Sequence, residues 1–299
     1  MTRLGVLGWP VAHSRSPAMQ NAALRAAGLH GWRYQRLPVP PPLLAETVRS
    51  LALVGFVGAN VTIPHKEAAL ALTGEASAAA REIGAANTLT FTPEGGIAAD
   101  NTDGPGLLDA LGEGVRGASA LVLGAGGSAR AAVWALQRAG ASEVAVWNRT
   151  PERARELARA LGARFVEAPG PADVLVNCTS VGLYENDTTP SPDEAPIPSN
   201  DAGSRHHPGS GLQRSATQGC ALNQLRVTFD QVGEYGHVVD FVYRKDTTPL
   251  LAAARAHGAR TTDGLELLLA QGALSFEAWT HRAAPRDEMR AALVAHERS

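Results

Sequence analysis

Short apolar runs alternate with amphipathic stretches along most of the chain. Residues 4–7 read as a strand, after which Ser16-Pro17 opens a helix, with serine as N-cap and proline in the first turn. Leu44, Val48 and Leu51 share one face of a second helix. Residues 57–63 return to strand, and residues 66–72 and 76–83 read as helices. Residues 87–91 and 97–101 flank Thr92-Pro-Glu-Gly-Gly, a hairpin signal. From residue 119 the alternation is cleaner: strand at 120–123, helix at 127–139, strand at 143–147, a helix capped by Thr150-Pro151, and strand at 173–176. This order predicts an α/β fold with a parallel, doubly wound sheet.

The pattern fails at residues 187–218, which are rich in proline, serine, threonine, glycine and asparagine and carry His206-His207. A structureless connection of that length does not suit a compact domain unless it is a disordered insertion, and histidines in such a tract are expected to be solvated rather than metal-bound. The insertion is set at about 187–236, although alternating apolar residues at 222–229 could form a strand at a sheet edge. Order resumes with a strand at 238–243 and helices over 249–258, 264–280 and 286–297.

A length of 299 residues favours two domains. A net charge of −2 without a basic face argues against a nucleic-acid partner, which leaves a small molecule. No apolar stretch approaches the ~20 residues that a bilayer requires. Two cysteines, Cys178 and Cys220, make no disulfide framework and no metal-ligand spacing, and the chain starts on a strand-like pattern rather than a signal sequence. The expected setting is cytoplasmic, without metal, and a homodimer is left open. Of 27 basic residues only Lys66 and Lys245 are lysine. Arginine stays protonated, whereas lysine can exchange its proton, so a lysine in so arginine-biased a chain points modestly to proton chemistry; Lys245 reads as chance.

Gly124-Ala-Gly-Gly-Ser-Ala129 follows a predicted strand and opens a predicted helix, matching G-x-G-x-x-A. Gly124 permits the turn, Gly126 lets a pyrophosphate approach the backbone, and Ala129 lets helix and strand pack closely, which together indicate a dinucleotide site. An NAD site usually carries an acidic residue at the end of the next strand. Here that place holds Asn148-Arg149-Thr150 with Arg153 one turn on, and two guanidinium groups suit a 2′-phosphate, so NADP is expected.

Gly58-Ala-Asn-Val-Thr-Ile-Pro-His-Lys66 carries a strand into a helix, with Asn60 and Thr62 on one side. Asp100-Asn-Thr-Asp-Gly-Pro-Gly106 also follows a strand. If both strand ends reach one sheet edge, Lys66 and Asp103 could form a proton-transfer pair or a structural salt bridge; spacing alone leaves both open. In the first loop, Ser14 and Ser16 are hydroxyls at a helix N-terminus, suited to carboxylate or hydroxyl recognition. Capping accounts for Ser16 and leaves Ser14 unused.

The segments His13-Ser-Arg-Ser-Pro, Asn60-Val-Thr-Ile-Pro-His-Lys, Gly84-Ala-Ala-Asn-Thr, Asn101-Thr-Asp-Gly, Gly124-Ala-Gly-Gly, Asn148-Arg-Thr and Asn177-Cys-Thr-Ser-Val-Gly resemble, in this order, those of shikimate dehydrogenases. Val239-Asp-Phe-Val-Tyr and the stretch from Asp263-Gly-Leu to Gln271 complete the series. The resemblance implies NADPH-dependent reduction of 3-dehydroshikimate to shikimate, in the making of chorismate and aromatic amino acids. It implies Lys66 and Asp103 as the catalytic pair, and Ser14, Ser16, Thr62, Asn87, Asp103, Tyr243 and Gln271 as substrate contacts. It implies cofactor contacts at Gly124, Ala125, Gly126, Gly127, Ser128, Ala129, Asn148, Arg149, Thr150, Arg153, Thr179, Phe241 and Gly264. The implied architecture is a substrate domain at 1–104 and 264–299, its C-terminal helices packing back on the first part, and a Rossmann-like NADP domain at 105–263. The chain departs from the family in the tract at 187–236 and in Leu267 and His281, where methionine and glycine are commoner.

Two rivals remain. A quinate dehydrogenase of broader specificity often has threonine at the second serine and an acidic residue after the nucleotide-binding strand; Ser16 and Arg149 argue against it. A non-catalytic metabolite sensor needs neither Lys66 nor Asp103, and no DNA-binding helix pair or basic arm accompanies them.

Overall fold

A computed structural model describes residues 1–92, 94–183 and 221–295. The first sheet is built from β1 (Thr2–Gly8), α1 (Ser16–Ala26), β2 (Trp32–Pro38), α2 (Leu44–Leu51), β3 (Phe56–Val61), α3 (Lys66–Ala71), β4 (Glu75–Ala76), α4 (Ala78–Ile83), β5 (Thr88–Phe91) and β6 (Ile97–Asp100). The second follows α5 (Asp103–Leu111) and comprises β7 (Ser119–Leu123), α6 (Gly127–Arg138), β8 (Glu143–Trp147), α7 (Pro151–Leu161), β9 (Arg164–Phe165), β10 (Val174–Asn177), α8 (Phe229–Val232), β11 (His237–Asp240), α9 (Pro249–Ala256) and β12 (Arg260–Thr262). Two last helices, α10 (Gly264–Thr280) and α11 (Arg286–Ala295), close the chain.

The first sheet has the order β2-β1-β3-β5-β6-β4. Strands β2, β1 and β3 are parallel, β5 is antiparallel to β3 and β6, and β4 is parallel to β6. Because β5 runs against both neighbours, β1, β3 and β6 point the same way. The chain therefore leaves all three, and enters β5, at a single edge. Asn60, Thr88 and Asp100 stand in one row across β3, β5 and β6.

The second sheet is parallel throughout, ordered β12-β11-β10-β7-β8-β9. Its central strands are apolar along their length because helices cover both faces. The order reverses beside β7, and the loop carrying Gly124 leaves β7 at that switch point, where α/β sheets leave a crevice.

The C-terminal helices return to the first sheet. Leu268, Leu269, Ala273, Phe276 and Trp279 of α10 and Met289 and Leu293 of α11 share a core with Leu4, Val6, Met19 and Tyr34. Leu267 faces the other way and joins the core of the second sheet. Helix α10 ends at His281, whose φ of 53° is left-handed. Glycine takes that conformation without the Cβ conflict that histidine bears. Among the described residues no helix is long and apolar enough to cross a membrane.

Three local expectations are corrected. Helix α1 starts at Ser16 with Arg15 as N-cap, and it is Ser14 Oγ that accepts the Ser16 N–H, at 3.3 Å; Ser16 caps nothing. Residues 222–229 form no strand: the chain turns helically from 221, with Leu222, Leu225 and Val227 buried against the second sheet. The C-terminal part of the supposed insertion, residues 221–236, is therefore folded core, because its apolar residues, Val232 and Tyr235 included, cover one face of that sheet. Residues 187–220 lie outside the described residues. Strand β2 gave no apolar alternation to find: arginines at 33 and 36 line an edge strand whose one fully buried side chain is Tyr34.

Candidate active site

Lys66 is the first residue of α3, reached from β3 through Thr62-Ile-Pro-His65, and Asp103 is the first of α5, three residues beyond β6. The carboxylate sits in the first turn of its helix, where the backbone dipole favours negative charge. Asn101 fixes the approach: its amide donates to the Ala85 carbonyl at 2.8 Å and its Oδ1 accepts the Gly104 N–H at 3.1 Å. Lys66 Nζ then donates to Asp103 Oδ2 at 2.7 Å, with side-chain exposures of 11% and 8%. A pair so placed is shielded yet still reachable from the cleft.

Asn87 holds the other carboxylate oxygen. Its backbone ties the sheet edge together, accepting the Val61 N–H at 2.8 Å and donating to the Asp100 carbonyl at 3.1 Å. Its side-chain Oδ1 accepts the Thr102 N–H at 2.7 Å, which orients the amide so that Nδ2 donates to Asp103 Oδ1 at 2.8 Å. The same Nδ2 lies 3.3 Å from Gln271 Oε1 on α10. Behind it, Asn60 donates to Thr88 Oγ1 at 3.2 Å and Ser275 Oγ at 2.9 Å and accepts from Tyr34 OH at 2.8 Å. Linear sequence did not reveal this buried network, since it depends on the register of three strands. One signal was available: Ser275 stands one helical turn after Gln271.

One cavity between the two sheets is lined by Lys66 and Asp103 and by Ser14, Ser16, Thr62, Asn87, Tyr243 and Gln271. Ser14 and Ser16 are buried, and both line this cavity together with Tyr243. Burial raises the Tyr243 pKa above its ordinary value of 10.0, so it stays a neutral hydroxyl. From the second sheet's side, Ser128, Thr179, Phe241 and Gly264 reach the same cavity.

The glycine loop has the makings of a phosphate cradle. Gly124 takes φ +114°, which L side chains rarely adopt, and a Cβ on Gly126 would meet nothing within 4 Å. Gly126 is the N-cap of α6 and no side chain caps that end, leaving N–H groups for an anion. Ala129 is fully buried beneath the loop, and Ala125 and Gly127 complete it. Asn148, Arg149, Thr150 and Arg153 stand apart from the cavity, around the end of β8 and the first turn of α7. Asn148 donates to the Thr150 carbonyl at 3.0 Å, and Arg149 is exposed. The exposed Arg153 lies 3.6 Å from Glu67 of α3, a loose pair that an anion of higher charge could displace. Helix end, open cradle and two exposed guanidinium groups fit a dinucleotide carrying an extra phosphate.

The Phe241–Tyr243 segment is anchored by Asp240, which is fully buried and accepts from Thr248 Oγ1 at 2.6 Å, Asn177 Nδ2 at 2.9 Å and the Val242 N–H at 3.0 Å.

Family models match along the chain: the shikimate dehydrogenase substrate binding domain at residues 6–89, shikimate/quinate 5-dehydrogenase at 107–179, and the shikimate 5′-dehydrogenase C-terminal domain at 264–294. A shikimate dehydrogenase (NADP(+)) of Methanopyrus kandleri is 40% identical over 98% of this chain and 95% of its own length. One from Anaeromyxobacter sp. strain Fw109-5 is 42% identical, over 97% and 95%. The solved structure of shikimate 5-dehydrogenase from Thermus thermophilus, in complex with NADP(H) and shikimate, is 37% identical. It covers 99% of this chain and 100% of its own, with a TM-score of 0.76.

Strand β11 carries two groups whose titrations oppose each other. Burial pushes Asp240 up to about 6 from 3.8, and burial with the nearby Arg260 charge pushes His237 down to about 4 from 6.5. Between 6.5 and 4 the unfolded chain holds the histidine proton more tightly, so acidification costs stability; between 6 and 3.8 the folded chain holds the Asp240 proton more tightly, so acidification restores it. Relative to the native protein, Asp240→Asn should lose stability more steeply as pH falls through this window, and His237→Gln should lose less or gain. Urea unfolding at steps from pH 7 to 4 reads this; three parallel profiles would refute it.

Proposed function

Because the chain belongs to the shikimate dehydrogenase family, we propose that Lys66 and Asp103 are the proton-transfer pair of its reaction and that the cavity beside them takes the substrate. The protein is an NADP-dependent oxidoreductase acting on a secondary alcohol: it reversibly reduces 3-dehydroshikimate to shikimate, a step toward chorismate and the aromatic amino acids. The cytoplasm is the proposed setting.

The observation that carries the assignment is the 2.7 Å contact of Lys66 Nζ with Asp103 Oδ2, whose other oxygen is held by Asn87. Bound NADPH supplies a hydride to the carbonyl carbon. As negative charge grows on the carbonyl oxygen, the Lys66 ammonium gives it a proton, completing the hydroxyl. In the oxidative direction the neutral amine takes the hydroxyl proton back. Asp103, held between its donors, keeps Lys66 aimed at the substrate. Ser14, Ser16 and Tyr243 form the polar side of the cavity near the start of α1, suited to the substrate carboxylate. Gln271 and Thr62 contribute hydrogen bonds to its ring hydroxyls. Arg149 and Arg153 hold the 2′-phosphate at the far end of the cofactor.

Lys66→Met should lower turnover by ~10²–10⁴-fold while changing the KM for shikimate little, as measured by absorbance during NADP reduction. Near-native turnover would end the assignment. Each charge-assisted contact with the 2′-phosphate is worth ~1.5–3 kcal/mol, so alanine at both Arg149 and Arg153 should raise the KM for NADP strongly and leave that for NAD nearly unchanged. Equal losses with both cofactors would assign these arginines to the fold.

A further inference from the structure

The glycine loop and the proton-transfer pair meet at one side chain. Ser128 is the second residue of α6, and its Oγ accepts a hydrogen bond from Lys66 Nζ at 2.9 Å. The same ammonium donates to Asp103 at 2.7 Å. Lys66 stands on α3 at the edge of the first sheet and Ser128 on a helix of the second, so the bond crosses the cleft. The approach is close along the lysine stem too. A Cβ on Gly127 would lie 2.6 Å from Lys66 Cβ and 3.1 Å from its Cδ, so a glycine at 127 is what lets the stem lie over the start of α6.

We propose that Ser128 is a positioning residue for Lys66, completing the proton donor when the nucleotide-binding loop lies against the substrate edge. An ammonium has three N–H donors. Held by Asp103 alone it can turn about one contact. A second acceptor, on an element from the opposite side of the cleft, fixes the direction of the third donor, which is the one left for a substrate oxygen. Accepting from Lys66, the serine hydroxyl keeps its own proton to donate. It lies in the first turn of the helix whose N-terminus suits the cofactor phosphates, so a cofactor that orders this loop also orders the lysine. The proposal rests on Lys66 being the proton donor.

The composition supplies a direct readout. Lys66 and Lys245 are the only lysines, so lysine labelled with ¹³C at the ε position gives two signals, and Lys245→Arg assigns them. The two ε protons of a held lysine have separate shifts. In cofactor-free protein, Ser128→Ala should draw the Lys66 pair together and Ser128→Thr should keep them apart. In steady state, Ser128→Ala should lower kcat for shikimate oxidation about tenfold with little change in the KM for shikimate, the effect of losing one hydrogen bond to a charged group, and Ser128→Thr should restore it. Unchanged Lys66 signals in Ser128→Ala, with only the KM for NADP raised, would make Ser128 a cofactor contact and overturn the proposal. Full turnover in Lys66→Met, run in parallel, would instead refute the role given to Lys66, while the NMR signals still report whether Ser128 holds it.

Discussion

The carboxylate of Asp103 is held from two sides, by a neutral amide at one oxygen and an ammonium at the other, and most of the surrounding structure serves to keep it so. Taking a carboxylate and an ammonium partly out of water is costly, and such a pair adds little net stability unless its geometry is good. The antiparallel β5 brings Asn87 between the ends of β3 and β6, and the Thr102 N–H sets which way its amide faces. Reversal of that amide would turn an acceptor toward the carboxylate. The hydroxyls of Thr88 and Thr102 also bond the amide, and Ser275 Oγ in turn bonds both of them.

The second sheet meets the first through the apolar cluster of Ile83, Ala85 and Ala131, through Leu267 of α10, and through a set of polar contacts. Arg130 of α6 donates to the Ile83 carbonyl at the end of α4 at 2.6 Å, and Glu82 takes the indole N–H of Trp134 and the guanidinium of Arg138. These fix one side of the junction. Across the cleft, the Lys66–Ser128 bond and the loose Arg153–Glu67 pair join α3 to the helices of the second sheet. One side is therefore anchored, while the other is bridged by the Lys66–Ser128 bond and one loose, exposed ion pair.

The placement of much of the candidate site was legible in the sequence because its residues follow strands within a few positions, where direction of travel alone brings them to an edge. Lys66, Asp103 and the Gly124 loop are of this kind. The alternation of the second half gave its sheet, because strands buried on both faces are apolar along their length. What depends on register was not legible: nothing in the linear order puts Asn60, Thr88 and Ser275 together, nor Ser128 beside Lys66. The serines of the first loop exchanged capping roles because a helix start is uncertain by a residue, and one residue decides which hydroxyl is spare. The tract at 221–236 was misread because its few apolar residues follow a polar stretch and pack on a sheet whose strands lie far away in sequence.

If Lys66 and Asp103 act as one unit, removing either should forfeit what both provide, and removing both should forfeit little more. The direct measurement is a double-mutant cycle on kcat for shikimate oxidation, with Lys66→Met, Asp103→Asn and the combined variant. The account predicts a combined turnover within about threefold of the slower single variant, the non-additivity of residues that work together. Losses that multiply would show two independent contributions to turnover, and the two residues would then not act as one unit.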